Sequence, residues 1–401
     1  MTNSRMMYSA LSFLLSVAFA AGTPMLADNF HDSELKQLFG VDNLHDAPEY
    51  EIIYPKYVTD DVTRGICSDA IVGDSLNINI DAFGNNLKLV VHQDSSLFSE
   101  DFYAEKIQEN GQPVPLSVRT DCFYTGEVES EPDSMISLST CSGLNAIVYH
   151  ANGPTVIEPL THDTDNSRGR AHVAYKQRSG RTFNCGTSVD FSQGVRSPSK
   201  KNTVHQEAQK TLELGVFVTD DNSDKTEAAT LTVIQAIKVF MEKPSLGTTL
   251  KLKCVSLIIF GGDGPAVPAN PYKALRELGN DQLSRNVEDD ADPKHWDNAL
   301  YLVGKKMFDA RDRHVQGIAH INAGGYDLKA VAIATWDTGV AEVAAHELGH
   351  NLGMRHDGAD NTCPRSGFIM TVGGELGATE WSTCSKAEFD TRMGETTVYD
   401  D

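Results

Sequence analysis

The segment HELGHNLGMRHD, His346 to Asp357, puts three histidines and a glutamate within eleven residues. Positions four apart on a helix share a face, so His346 and His350 can aim two imidazoles at one ion with Glu347 beside them. A tetrahedral catalytic zinc takes three protein ligands and keeps a fourth position open, which leaves HExxH one ligand short. Gly353 can take a positive φ, end the helix and turn the chain back, so that His356 supplies the third ligand. Three neutral imidazoles leave the zinc charge largely uncompensated. A bound water is then acidified toward a pKa of ~7 and a bound carbonyl is polarised. Glu347 is the general base that takes that water's proton and hands it to the leaving amine, so the expected reaction is peptide hydrolysis without a covalent acyl-enzyme. HExxH alone reads equally well as a solvated helix face; Gly353 and His356 each add a position with a physical job.

The elements that must hold this motif are visible around it. VAEVAAHELGHNLGM has helical spacing, TLELGVFVTD (211–220) and KLKCVSLIIF (251–260) read as strands, and TEAATLTVIQAIKVFMEK between them reads as a helix. A second helix is predicted around HWDNALYLVGKKMF, and HVQGIAHI and LKAVAIATW are strand-like. Such alternation predicts an α/β fold with a mixed, mostly parallel sheet. Substrate specificity is expected to depend on the wall after Met370 and on an edge strand near GGYDLKAVAIATW. Upstream, from Glu51 to Leu160, SLNINIDAFGNNLKLVVHQ alternates around a Gly-Asn-Asn turn and MISLSTCSGLNAIVYH around Ser-Gly, so this half is β-rich. Between His162 and Gln206 the composition is that of a linker.

A chain of 401 residues predicts two compact units. With 56 acidic against 34 basic side chains, the net charge of -22 repels phosphate backbones and anionic lipid, so nucleic acid is excluded as a partner. MTNSRMMYSALSFLLSVAFAAG has Arg5, a short apolar run and Ala18-Phe19-Ala20, the pattern of a secretory signal peptide over residues 1–20. No other segment has the ~20 apolar residues of a membrane span, so a secreted, extracellular protein is expected. Seven cysteines fit an oxidising compartment but cannot all pair within one molecule.

With the long zinc motif and SGFIMTV in hand, the chain resembles the metzincin metalloproteases, and Asp357 directly after His356 resembles the reprolysin (adamalysin) branch, that of ADAM-type and snake-venom metalloproteases. Met370 is then the methionine packed under the metal, with no ligand role. CFYTGEVESEPDSMISLSTCSGLNAIVYH resembles a reprolysin propeptide and FNCGTS its cysteine switch, which implies that the Cys185 thiolate holds the zinc in a latent form. Half of a disulfide is the other reading of Cys185. The resemblance implies a signal peptide over 1–20, a propeptide over 21–201 and a catalytic domain over 202–401. Activation by another protease is expected near Lys200-Lys201; Arg178-Ser-Gly-Arg181 is a second basic site but precedes Cys185. The family also implies disulfides Cys122–Cys141 and Cys363–Cys384, and a structural calcium for which Glu213 and Asp297 match two ligands while the tail TTVYDD lacks the usual Cys and Asn. Cys254 reads as a buried free thiol and Cys67 has no clear partner. The short layout resembles arthropod venom or salivary metalloproteases, with extracellular-matrix or plasma proteins as substrates by family habit. The competing reading is a zinc-stabilised binding protein or toxin, against which the presence of Glu347 speaks.

Overall fold

The computed structural model describes residues 43–160, 169–177, 182–190, 209–219 and 227–395, apart from 60–61, 68–69, 248–249, 263, 326 and 338, together with 38, 39, 41 and 399. Residues 1–20, Arg178, Arg181, Lys200 and Lys201 lie outside the described residues. Among the described residues no helix is long and apolar enough to cross a membrane.

The first half builds a ten-stranded antiparallel sheet. Its order is Tyr50–Ile53, His172–Lys176, Thr155–Pro159, Asn145–Tyr149, Glu131–Ser139, Phe123–Val128, Asn85–Gln93, Ser75–Ala82, Lys56–Thr59, Val62–Gly65. Alternation decides the inward face: Leu76, Ile78 and Ile80 are buried while Ser75, Asn77 and Asp81 are exposed. The hairpin that follows turns at Phe83 and Gly84, with φ of 51° and 73°, and Ala82 pairs with Asn85. The turn thus sits one residue earlier than the expected Gly-Asn-Asn and shares Gly84 with it, because a two-residue turn with two positive φ angles matches the twist of the strands.

An eight-stranded mixed sheet contains β1 (Phe98–Ile107), β2 (Pro113–Pro115), β3 (Cys185–Asp190), β4 (Lys210–Val218), β5 (Leu250–Phe260), β6 (Asn298–Val303), β7 (Gly317–Ile321) and β8 (Val331–Thr335). The order is β3-β7-β8-β6-β4-β5-β1-β2. Only β7 with β8 and β1 with β2 are antiparallel. Four helices serve this sheet: α1 (Glu227–Met241), α2 (Pro271–Arg285), α3 (Val340–Asn351) and α4 (Thr383–Glu395). The first half of the chain therefore supplies both edges of the sheet, β1 and β2 on one side and β3 on the other.

The two sheets share α1, which buries twelve of its fifteen residues. A helix apolar nearly all round needs cover on both faces. Tyr149 of the antiparallel sheet meets Phe240 edge-on at 5.3 Å, and Ser137 Oγ donates to the Thr232 carbonyl. Lys238 reaches across to Asp94 at 3.0 Å and also holds Glu242 at 3.2 Å; its side chain is only 6% exposed.

Two expectations are corrected. HWDNALYLVGKKMF is not a helix: Asn298–Val303 is the strand β6, flanked by β4 and β8, with six consecutive buried residues. A parallel strand covered on both faces loses its alternation, so its apolar run cannot be told from a buried helix by periodicity. The helix of this region is α2, where the Asn270 side chain accepts from the Lys273 N–H and Pro271 takes the first turn. The stretch near GGYDLKAVAIATW is not an edge either. Its strand β8 lies between β7 and β6, and β7, Gly317–Ile321, is itself covered by the edge strand β3, which carries Cys185.

Candidate metal centre

Helix α3 carries the motif, with all twelve of its residues buried. It begins at Gly339, φ 87°, and stops where the Gly353 N–H donates to the His350 carbonyl at 2.9 Å. Gly353 has φ 94°, the left-handed turn that brings His356 back over the helix.

The three imidazoles converge through Nε2: His356 Nε2 lies 3.1 Å from that of His346 and 3.2 Å from that of His350. Their tautomers follow from the other ring nitrogen. His346 Nδ1 faces the Ile369 carbonyl at 2.7 Å and His350 Nδ1 the Met354 carbonyl at 2.8 Å. A carbonyl only accepts, so each Nδ1 carries the proton and each Nε2 presents a lone pair inward. Burial, together with the neighbouring His356 imidazole, pushes His350 down to about 3, and burial pushes His356 down to about 4, so both rings are neutral and able to ligate.

Lone pairs facing one another need a cation between them. Tetrahedral zinc–nitrogen bonds of about 2.0–2.1 Å set the nitrogens about 3.3 Å apart, close to what the histidines show. Cys185 Sγ lies 3.5 Å from His350 Nε2, and about 3.6 Å is expected for a sulfur at about 2.3 Å from the same ion. Cys185, His346, His350 and His356 group as a metal-binding set, and their chemistry and spacing fit zinc. Without an ion, burial and the neighbouring Glu347 hold the Cys185 thiol well above its ordinary range. A cation among the imidazoles reverses that preference, because a thiolate ligand is stabilised by the charge it binds.

Glu347 is fully buried, and its Oε2 lies 3.6 Å from Cys185 Sγ while Oε1 has no hydrogen-bond partner among the described residues. Burial holds this carboxyl well above the usual carboxylate range. Room for it is made by Gly317 on β7, where a Cβ would stand 2.4 Å from Glu347 Oε1. Gly349 does the same on the opposite side of the helix, where a Cβ would meet Met370 Sδ at 2.7 Å. Met370, fully buried, thus packs under the motif, and its carbonyl accepts from the Asp357 N–H at 2.8 Å. The Asp357 carboxylate accepts from Ser382 Oγ, which ties the end of the motif to the start of α4. The disulfide Cys363–Cys384 makes a second tie between the same two segments, and Cys122–Cys141 lies in the first half.

Glu213 and Asp297 are brought together away from this centre. The Asp297 carboxylate accepts from the Glu213 N–H at 2.9 Å, and Asp290, His295 and Asp297 form a second cluster of possible metal-binding side chains. Cys67, Cys185 and Cys254 are the free cysteines among the described residues; Cys254 is buried and Cys67 exposed. Gly317 and Gly349 were not singled out in the sequence, and neither was Phe183, whose ring stands edge-on to His346 at 5.2 Å.

Comparison with known proteins places this geometry. Residues 220–397 match the reprolysin (M12B) family zinc metalloprotease. The chain is 23% identical to a disintegrin and metalloproteinase with thrombospondin motifs, adt-1, from Caenorhabditis elegans, over 96% of this chain and 29% of that one. It is 25% identical to the snake venom metalloproteinase-disintegrin-like mocarhagin of Naja mossambica, over 85% of this chain and 58% of that one. The chain thus spans less than two thirds of either relative. The solved metalloproteinase-II of Bacteroides fragilis aligns with 80% of this chain and 92% of its own at a TM-score of 0.48 and 13% identity. The segment from 220 to 397, which holds the three histidines, is a domain of the reprolysin (M12B) family of zinc metalloproteases.

Proposed function

We propose that the chain is a secreted zinc-dependent endopeptidase made as a zymogen, with Cys185 as the latch and Glu347 as the general base. One observation carries this reading: three converging Nε2 lone pairs, that of His356 3.1 and 3.2 Å from those of His346 and His350, with a cysteine sulfur at the fourth corner and a buried carboxyl next to it. Zinc bound there supplies Lewis acidity toward a scissile carbonyl and an attacking water. His346, His350 and His356 hold it, oriented by the Ile369 and Met354 carbonyls. Glu347 accepts the proton of the attacking water and passes it to the departing amine, a task suited to a carboxyl whose proton affinity is raised. The sulfur of Cys185 stands where the scissile carbonyl must come, so the segment 182–190 blocks the site until it is displaced. Removal by cleavage near Lys201 fits the linker position of that residue. Calcium near Glu213 and Asp297 belongs to the same reading as a structural ion.

The test is hydrolysis of a quenched protein substrate by the full chain after limited proteolysis, with wild type, Glu347→Gln and a chelated sample restored with zinc. Cutting by wild type and by the restored sample alone supports the proposal. One bound zinc per chain with no cutting sinks it in favour of a binding protein.

A further inference from the structure

The sheet that supports the histidines is completed by strands from the first half of the chain. At the end of the strand order opposite Cys185, β5 is the last strand that the second half supplies, and β1 pairs with it in parallel, Ser256 with Tyr103 through Phe260 with Ile107. The Cys254 N–H donates to the Leu97 carbonyl at 2.6 Å and the Gly261 N–H to the Ile107 carbonyl at 2.7 Å. Beyond β1 lies β2, whose Pro113 and Pro115 lack an N–H, a fitting end for a sheet. β5 would be a poor one. Lys251 and Lys253 guard only its start, and all seven residues from Cys254 to Phe260 are buried. Without β1 it is a long apolar strand with a free row of N–H and carbonyl groups, which pairs with whatever strand it meets.

Side chains close the same joint. Leu97, Ala104 and Phe123 share a buried core with Leu214 and Leu257, and Ile107 shares another with Phe217 and Phe260. Helix α1 is roofed by the antiparallel sheet, with the Lys238–Asp94 pair sealed between them. At the other edge the hold is lighter: β3 pairs with β7 from Cys185 to Thr187, and the register then breaks before Asp190. Resting on the zymogen reading above, we infer that β1 and β2 are permanent strands of the catalytic sheet. After cleavage near Lys201 the first half stays bound as a second, non-covalent subunit through the β5 edge and α1, and only the segment 182–190 moves. The partner that the β5 edge fits is therefore this chain's own residues 98–115. Opening the site is a local shift at the far edge, and the first half is not lost with it.

The full chain, nicked near Lys201 by limited proteolysis, tests this. In plain buffer the two fragments should elute together at the mass of the uncut chain, and that peak should cut a quenched protein substrate. Amide exchange at 254–260 should stay within about two-fold of the uncut chain, while exchange at 185–190 speeds up about ten-fold or more. Ile107→Ala, which empties its place beside Phe217 and Phe260, should hasten parting of the fragments in moderate urea about ten-fold or more, with Val114→Ala, exposed on β2, close to wild type. Parting no faster in Ile107→Ala removes β1 as the joint. A second-half fragment that elutes alone as an active monomer overturns the proposal, and so does loss of protection at 254–260 together with 185–190. Fragments that stay together but cut only when Cys185→Ala is added overturn the local opening. No cutting by either chain with zinc bound is instead a failure of the protease reading, and exchange at 254–260 then decides alone whether β1 stays.

Discussion

The two sheets solve opposite problems. In the antiparallel sheet of the first half, Ser75–Ala82 and Asn85–Gln93 alternate buried and exposed residues, so one face is covered and the other solvated. In the mixed sheet, Asn298–Val303 and Val331–Thr335 are buried at every position. The first kind of sheet can act as a shield. The second can hold a helix such as α3 rigidly enough to bring His356 Nε2 within about 0.2 Å of the tetrahedral spacing from the two helix histidines, since supporting packing sets the precision of a site. The first half of the chain also reaches into the rigid sheet, through β1 and β2 at one edge and β3 at the other, so that under the proposed zymogen reading the block and the catalytic geometry share a framework.

The sharpest way to separate the two sheets is a pair of core truncations. Leu300→Ala in β6 and Leu89→Ala in the antiparallel sheet each remove a fully buried leucine, and each is expected to cost about 4 kcal/mol of stability. Leu300→Ala should also weaken zinc retention, whereas Leu89→Ala should leave it and instead raise the basal activity of the latent chain. Zinc content and peptide hydrolysis measured on both variants would blur the distinction if they moved together.

Next in size is the joint between the sheets. Lys238→Met leaves Asp94 and Glu242 without their shared cation at a buried site, for a loss of about 3 kcal/mol in thermal or denaturant unfolding. A loss under about 1 kcal/mol would mean that the pair acts as a solvated surface contact. A smaller effect is expected at the turn after α3: Gly353→Ala forces a side chain into φ 94° and should cost about 1 kcal/mol, with zinc affinity falling because His356 is displaced. Titration of zinc against a competing chelator checks it.

A separate lever is pH. His350 and His356 stand at about 3 and about 4 in the folded chain, below the ordinary value of about 6.5 in an unfolded one. The unfolded state therefore takes up protons first on acidification. Their contribution to stability is present above about pH 6.5 and is lost as pH falls through about 4 and about 3. Zinc loss adds in the same direction, because protons and metal compete for the same lone pairs. Trp296, Trp336 and Trp381 all lie in the second half, so tryptophan fluorescence follows that half alone. Its midpoint should drop between pH 7 and pH 4; an unchanged midpoint would contradict the neutral, metal-ready state of the histidines.

The same contrast explains what was legible in the sequence. His346, Glu347, His350, Gly353 and His356 lie on one helix and its closing turn, so local periodicity alone brings them together. Cys185 is more than 160 residues away, and only resemblance to a family pointed to it. The alternating strands of the first half could be read from their period of two, whereas β6 could not, because burial on both faces erases the period. Gly317, Gly349 and Gly374 carry no signal of their own. Each matters for what approaches it across the fold, respectively the Glu347 carboxylate, Met370 and the ring of Phe183, and such distant neighbours are absent from any local pattern.

The central claim is that the latent chain gathers three imidazoles and one thiolate around a single zinc. X-ray absorption at the zinc edge of the full, uncleaved chain tests it most directly. The account predicts a shell of three nitrogens at about 2.0–2.1 Å and one sulfur at about 2.3 Å, with the sulfur replaced by a light atom in Cys185→Ala. A shell without sulfur in the wild-type chain, or one unchanged by Cys185→Ala, would contradict it.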